Sequence, residues 1–273
     1  MKIETWADRP WQAVTDAELA PALQVPSMLS REESRLYHWL GASADGSGAV
    51  IDLGAFAGGS AARLLSGLRR STSQARLYAY DRFTAGPKER AKFLYPAGMA
   101  ETDDTDILPQ VEAFLRPWQD RVTLVRGDIA TLAWDKSPVE ILAMDAGKSP
   151  ALTDHVAAQF FRHMIPGKSV LIHQDFLHKT QPWLAAQMLA LPDYFSAVAY
   201  VPRDCVVFEC RKTVTLNALA AARTTDMTDD QLVAALEAAA QHFAPLLPAQ
   251  LIRDMIPKLR ANPGVRTAWK MRN

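Results

Sequence analysis

The sequence predicts an α/β protein, and three observations carry the prediction. Short apolar runs of strand length alternate with longer segments of helical period. Four of the runs close on an acid, at or just beyond their ends: Asp52, Asp81, Asp128 and Asp145. Two further runs, Tyr194 to Val201 and Asp204 to Cys210, are joined only by Pro202-Arg203. So short a connection implies an antiparallel hairpin.

Taken in order, residues 1–28 hold Pro10, Pro21 and Pro26 and read as an irregular lead with room for one helical turn. Ser30-Arg-Glu-Glu33 is a capping-box pattern and opens a helix carrying Leu36, Tyr37 and Leu40, ending near Gly41. Ala49 to Leu53 is the first strand. Gly54, Gly58 and Gly59 follow as a turn in which backbone can approach a ligand closely, and Ala61 to Leu68 is the next helix. Ala75 to Tyr80 is a second strand. Residues 82–108 show no clear period and exceed an ordinary connection, so they read as a binding lid or a disordered segment. A helix over Val111 to Trp118 precedes strands at Val122 to Val125 and Val139 to Met144. Val156, Phe160, Phe161 and Met164 give helical spacing across Leu152 to Ile165. A fifth strand starts at Ser169, and Pro182 to Leu191 is another helix before the hairpin. After residue 215 a second capping box, Thr228-Asp-Asp-Gln231, leads into a face of Leu232, Val233, Leu236 and Phe243. Leu251, Ile252, Met255, Ile256 and Leu259 form another. The tail therefore docks on its own chain, covers the site or joins two subunits. The commonness of symmetric dimers favours a homodimer through Leu232, Leu236, Leu251 and Met255. The chain thus divides into residues 1–48, 49–211 and 212–273.

Composition narrows the function classes. Of 273 residues, 30 are Lys or Arg and 30 are Asp or Glu, so no bulk charge draws the chain to nucleic acid or to an anionic membrane. The N-terminus lacks the apolar core of a signal peptide. The longest uncharged stretch, Ala238 to Ile252, is broken by Pro245 and Pro248 and is too short to span a bilayer. Cys205 and Cys210 lie five apart in one strand and point to opposite faces. Unbonded cysteines and no targeting segment suggest a reduced, cytoplasmic chain.

In an open α/β sheet, ligands bind beyond the carboxyl ends of the strands. The four strand-end acids all fall there. Asp81 is placed to accept from a ribose diol, with Arg82 beside it, and Asp128 from an adenine amino group. Asp52 faces the glycine turn or a cationic amino group, with Ser60 opening the helix. Asp145 and Asp175 can share a divalent cation such as Mg²⁺ through carboxylate oxygens. Lys148 is a candidate base or counter-charge. His173 and His178 flank Asp175, and His173 is a candidate general base. Trp183 and Phe176 are candidates to wall an acceptor pocket.

Val-Ile-Asp-Leu-Gly-x-x-x-Gly-Gly-Ser resembles motif I of the class I S-adenosylmethionine-dependent methyltransferases. Leu-Tyr-Ala-Tyr-Asp-Arg-Phe matches their second-strand acid, and Val-Thr-Leu-Val-Arg-Gly-Asp-Ile their third-strand loop. Residues 141–176 look like the corresponding section of macrocin-type sugar O-methyltransferases. The resemblance covers about residues 49–211. It implies a Rossmann-like, doubly wound, seven-stranded sheet closed by the antiparallel hairpin, with an N-terminal helix and a C-terminal helical extension. It implies S-adenosylmethionine as cofactor, held by Asp52, Gly54, Gly58, Ser60, Asp81, Arg82, Asp128 and Asp145. It implies transfer to a hydroxyl of a small-molecule acceptor of sugar or natural-product type. Those relatives usually read Asp-Ala-Asp-His after the fourth strand and Asp-Asp after the fifth. Here the places hold Asp145-Ala-Gly-Lys148 and Gln174-Asp175. Asp145, Lys148 and His173 remain as the catalytic candidates. A nicotinamide oxidoreductase is one alternative, although its short-chain dehydrogenase version would lack its usual Tyr-x-x-x-Lys pair in this chain, and a cofactor-binding module without turnover is the other.

Overall fold

The computed structural model describes residues 6–134 and 137–272. Residues 1–5, on which part of the signal-peptide reading rests, lie outside the described residues. Its elements are α1 (Asp16–Leu23), α2 (Arg31–Ser43), β1 (Ala49–Leu53), α3 (Gly59–Leu68), β2 (Leu77–Asp81), a single turn α4 (Pro87–Glu89), α5 (Leu108–Leu115), β3 (Val122–Arg126), β4 (Val139–Met144), α6 (Pro150–Phe160), β5 (Val170–His173), α7 (Pro182–Leu189), β6 (Phe195–Val201), β7 (Cys205–Cys210), α8 (Leu216–Ala221), α9 (Asp229–His242), α10 (Ala249–Arg253) and α11 (Met255–Arg260). The strands make one sheet of order β3-β2-β1-β4-β5-β7-β6. Its β1–β2 and β2–β3 pairs are parallel, and β7 runs antiparallel to both β5 and β6. The α/β prediction and its closing hairpin hold. Cys205 and Cys210 are both buried. Among the described residues, no helix is long and apolar enough to cross a membrane.

The chain forms two compact units. The first ends at Leu132 and takes in Val139–Ala143; the second runs from Met144 onward.

In the first unit, β1 is buried along nearly its whole length, as a strand covered on both faces should be. The lead is more ordered than its prolines suggest. Thr15 caps α1 reciprocally with Glu18, and Trp6, Trp11 and Trp39 pack ring on ring. Arg63 fastens this lead to α3. Its buried guanidinium donates to the carbonyls of Val25 (3.0 Å) and Gly59 (2.9 Å), and burial lowers its pKa to about 10. The Ser30–Glu33 box is present, and α2 runs on to Ser43, past the expected end at Gly41. Residues 82–108 are structured and do not form the disordered alternative. The Arg90 guanidinium donates to the Asp104 carbonyl, Ala85 N–H to Thr105 (2.9 Å), and the Tyr95 hydroxyl to Thr102 (3.0 Å). One π-helical turn, Arg90–Leu94, lies within the segment.

In the second unit the helical tail finds its partner within the chain. Helix α9 opens on the Thr228–Gln231 box and packs on α7 and α10. Of the four residues expected at a dimer contact, Leu232, Leu236 and Met255 are fully buried within the chain and Leu251 is half-buried. Phe243 meets Phe176 and Phe208 at ring separations of 5.4 and 5.9 Å.

Candidate functional site

The first unit assembles most of the predicted cofactor residues. Gly54 turns the chain off β1 with φ of 87°, which suits glycine, and its N–H donates to the Tyr80 carbonyl at 2.9 Å. Gly58, at φ 83°, stands at the start of α3, where no side chain caps the helix. The first-turn N–H groups of such a helix favour a polar or anionic ligand. Gly59 serves packing and not the ligand approach read from sequence. A Cβ there would stand 2.3 Å from the Pro26 carbonyl oxygen.

Asp81 ties the glycine turn to the end of β2. One carboxylate oxygen accepts the Phe56 N–H at 3.0 Å and the other the Phe83 N–H at 2.7 Å. Each oxygen keeps a second lone pair for a ligand hydroxyl. Burial raises the Asp81 pKa, against the lowering effect of those two N–H donors. Asp52 is buried and accepts from the Ser60 hydroxyl at 2.7 Å, so these two candidates shape the loop through each other. Arg82 and Asp128 also meet each other, at 2.5 Å on the exposed edge. The Ala130 N–H and Arg82 hold the Asp128 carboxyl below its usual range. Sequence reasoning missed Phe56 and Phe93. Phe56 lies in the glycine turn, and Phe93 of the π-helical turn packs edge-on against it at 6.2 Å. No spacing pattern links residues that far apart.

The second unit brings Asp145, Lys148 and Asp175 together. The Lys148 ammonium donates to Asp145 at 2.6 Å and to Asp175, which also accepts from the Gln181 amide at 2.6 Å. Gln181 carried no signal in the sequence. The Lys148 loop is pinned by its main chain: the Trp183 indole donates to the Gly147 carbonyl (2.7 Å) and Ala268 N–H to the Lys148 carbonyl (2.9 Å). Burial by itself would lower the Lys148 pKa, but the two carboxylates raise it above the lysine range. Asp145 is pushed upward by burial, opposed by Lys148 and reinforced by the like charge of Asp175. Its side chain is 43% exposed, so solvent screens much of that shift. Burial acts upward on Asp175 too, but Lys148 and Gln181 bring it below the usual carboxylate range.

Three sequence readings change here. The pair Asp145 and Asp175 does not fit a divalent ion. The ammonium already lies between the two carboxylates, and the described residues contain no cluster of three His, Cys, Asp or Glu able to hold a metal. Trp183 and Phe176 are fully buried, one anchoring the Lys148 loop and the other in the aromatic core, so neither walls a pocket. His173 also lies wholly inside, against Phe176 and Phe208, with no hydrogen-bond partner on either ring nitrogen among the described residues. A ring so placed cannot exchange a proton with an acceptor. His178 is exposed and bonds Thr180 at 2.9 Å.

The setting of His173 has a stability consequence. Burial depresses its pKa to about 4 from the usual 6.5. The folded state therefore binds this proton less readily than the unfolded chain. The contribution is complete above pH 6.5 and lost as pH falls toward 4, about 3 kcal/mol by linkage. Urea midpoints at pH 7.5 and 5.0 should differ, and His173→Phe should reduce the difference. An unaltered acid limb in that variant would remove His173 as its cause.

No family model matches the chain, and no curated protein sequence does. Solved structures do. The O-methyltransferase NovP superposes with a TM-score of 0.51 at 14% identity, over 68% of this chain and 82% of NovP. The chain has that methyltransferase's fold. The S-adenosylhomocysteine-bound methyltransferase PaMTH1 of Podospora anserina is also similar, at 13% identity and a TM-score of 0.47, over 77% of this chain and 87% of PaMTH1.

Proposed function

We propose that the protein binds S-adenosylmethionine through the β1–β2 edge of its first unit and transfers the methyl group to a hydroxyl of a small molecule. The observation that carries this reading is the Asp81 carboxylate. It stands at the end of β2, joined through the Phe56 N–H to a glycine turn that opens an uncapped helix. That is a place for a diol beside a polar, charged tail. Gly54 and Gly58 give the turn its shape, Asp52 and Ser60 hold it, and Arg82 and Asp128 border the adenine end. Asp145 and Lys148 are the candidates to meet an acceptor hydroxyl, since methyl transfer needs a positioned oxygen more than it needs covalent chemistry from the protein. His173 supports that edge as a buried neutral ring.

Asp81→Ala should weaken S-adenosylhomocysteine binding by about 1–3 kcal/mol, the scale of lost charge-assisted hydrogen bonds. Isothermal calorimetry reads this directly. Equal affinity in the variant would take Asp81 out of the site. A melting temperature raised by NAD and not by the sulfonium cofactor would favour the oxidoreductase alternative.

A further inference from the structure

We propose that the C-terminal segment, residues 262–272, is a releasable clip that positions Lys148, with the Ala268 main-chain N–H as its positioning group. Engaged, the clip holds the ammonium between Asp145 and Asp175. Released, it lets the loop move, and the two carboxylates lose their shared cation. Every residue involved belongs to the second unit. The bearing of the clip on catalysis rests on the methyl-transfer reading above. The sequence itself turns the chain back. Asn262-Pro-Gly-Val265 has the Pro-Gly signature of a type II turn: Gly264 has φ of 70°, and the Val265 N–H donates to the Asn262 carbonyl at 3.2 Å. The segment is then fastened at three places. At its start, the Gly264 N–H donates to the Asp229 carboxylate at 2.8 Å, and Arg266 pairs with the same carboxylate at 2.6 Å. In its middle, the Ala268 N–H donates to the Lys148 carbonyl at 2.9 Å. At its end, the buried Asn262 side chain accepts the Arg272 N–H at 2.7 Å, and the Lys258 ammonium donates to the Arg272 carbonyl at 2.8 Å.

Polar contacts, more than apolar area, hold the clip. Its largest side chain, Trp269, is 74% exposed, while Ala268 and Met271 are buried. A segment with so little apolar burial opens locally at far less than the cost of unfolding the whole unit. Opening therefore frees the Lys148 loop while the rest stays folded. The Trp183 indole anchors that loop one residue earlier, at the Gly147 carbonyl. The Ala268 bond is what fixes the peptide that follows Lys148. An ammonium shared by two carboxylates is sensitive to such a release, because both contacts must stay at hydrogen-bond length. Asp175 would keep its Gln181 amide donor and lose the cation.

The test is Ala268→Pro in the full-length protein. Proline has no N–H and so removes that one bond. It otherwise suits the position. Ala268 opens a single 3-10 turn, where proline is tolerated, and Thr267 before it is extended (φ −137°, ψ 120°), as a residue preceding proline prefers. Ala268→Ser keeps the N–H and is the control. Carboxyl carbon-13 resonances are followed against pH, with amide hydrogen exchange in parallel. Burial acts upward on Asp175, and Lys148 is the first of the groups that bring it below the usual carboxylate range. In Ala268→Pro, Asp175 should therefore titrate at higher pH than in wild type. Exchange of the Lys148 amide, which is bonded to the Ala146 carbonyl at 2.7 Å, should quicken about fivefold, the worth of one hydrogen bond. Ala268→Ser should match wild type in both. A lowered melting temperature with an unmoved Asp175 titration would overturn the proposal, since a merely structural contact gives that result. Should Ala268→Pro fail to fold, Asp229→Asn decides, because it loosens the anchor at Gly264 and Arg266 and leaves Ala268 unaltered: the Asp175 titration moves up if the clip positions Lys148 and stays if it does not. None of these readings needs the cofactor. Absence of calorimetric heat with S-adenosylhomocysteine would defeat the methyl-transfer reading and leave the clip standing.

Discussion

Gly67→Ala is expected to destabilise the first unit by more than about 3 kcal/mol, although alanine is the better helix former by about 1 kcal/mol. The reason is the contact between α2 and α3. A Cβ on Gly67 would stand 2.0 Å from the His38 carbonyl oxygen and 2.7 Å from the Ala42 nitrogen. Both are backbone atoms of α2 and cannot rotate aside. The contact is reciprocal, since a Cβ on Gly41 of α2 would lie 2.2 Å from the Leu64 carbonyl oxygen of α3. The two helices therefore meet backbone to backbone, with the His38 ring bonding Ser66 at 2.6 Å beside the crossing. Forcing them apart would shift α3, and with it the Gly58 turn and the Asp52–Ser60 pair. Urea unfolding measures the loss, and cofactor affinity should fall with it. Gly127→Ala is the control: nothing lies within 4 Å of a Cβ there, and its stability should change by less than about 0.5 kcal/mol. A Gly67→Ala protein as stable as wild type would mean that the helices do not meet in this way.

That crossing also shows what the sequence can and cannot convey. Caps, periodicity and strand-end acids are local signals, and they locate α2, α9, β4 and the Asp81 edge. Gly41 reads wrongly as a helix end because a glycine that stops a helix and one that admits a neighbour look the same in one dimension. Gly59 misleads for the same reason, with Pro26 and not a ligand as its neighbour. The first helix escapes notice although Thr15-Asp-Ala-Glu18 is itself a capping box, because Pro21 weighs as a breaker; the helix accommodates it near its end. The metal reading fails on a side-chain choice. Asp145, Lys148 and Asp175 are each legible as site residues, but which pair of charges closes on which depends on the loops of Asp145 and Asp175 lying side by side and on Gln181 completing Asp175. No spacing rule encodes that.

Leu232→Glu/Leu236→Glu is expected to abolish folding of the second unit rather than to split a dimer. Both side chains are fully buried on α9, in line with Ala239 and Ala240 and leading to Phe243, which closes on the Phe176–Phe208 pair. Each change removes a buried leucine, worth about 2–5 kcal/mol in itself. Each also places a carboxylate in an apolar setting without a partner, which adds several kcal/mol or forces the group to take up a proton. Together they consume most or all of a typical stability of about 5–15 kcal/mol. His173 lies against the same Phe176–Phe208 pair, so loss of α9 would open that core and with it the end of β5 that carries Asp175. The double variant should therefore be found insoluble or, if soluble, without a cooperative melt by circular dichroism. Gln241→Glu, on the exposed side of the same helix, should melt as wild type does. Light scattering supplies the opposing outcome. A double variant with native helix content and half the wild-type mass would show that this face joins two subunits, and that its burial within one chain is wrong.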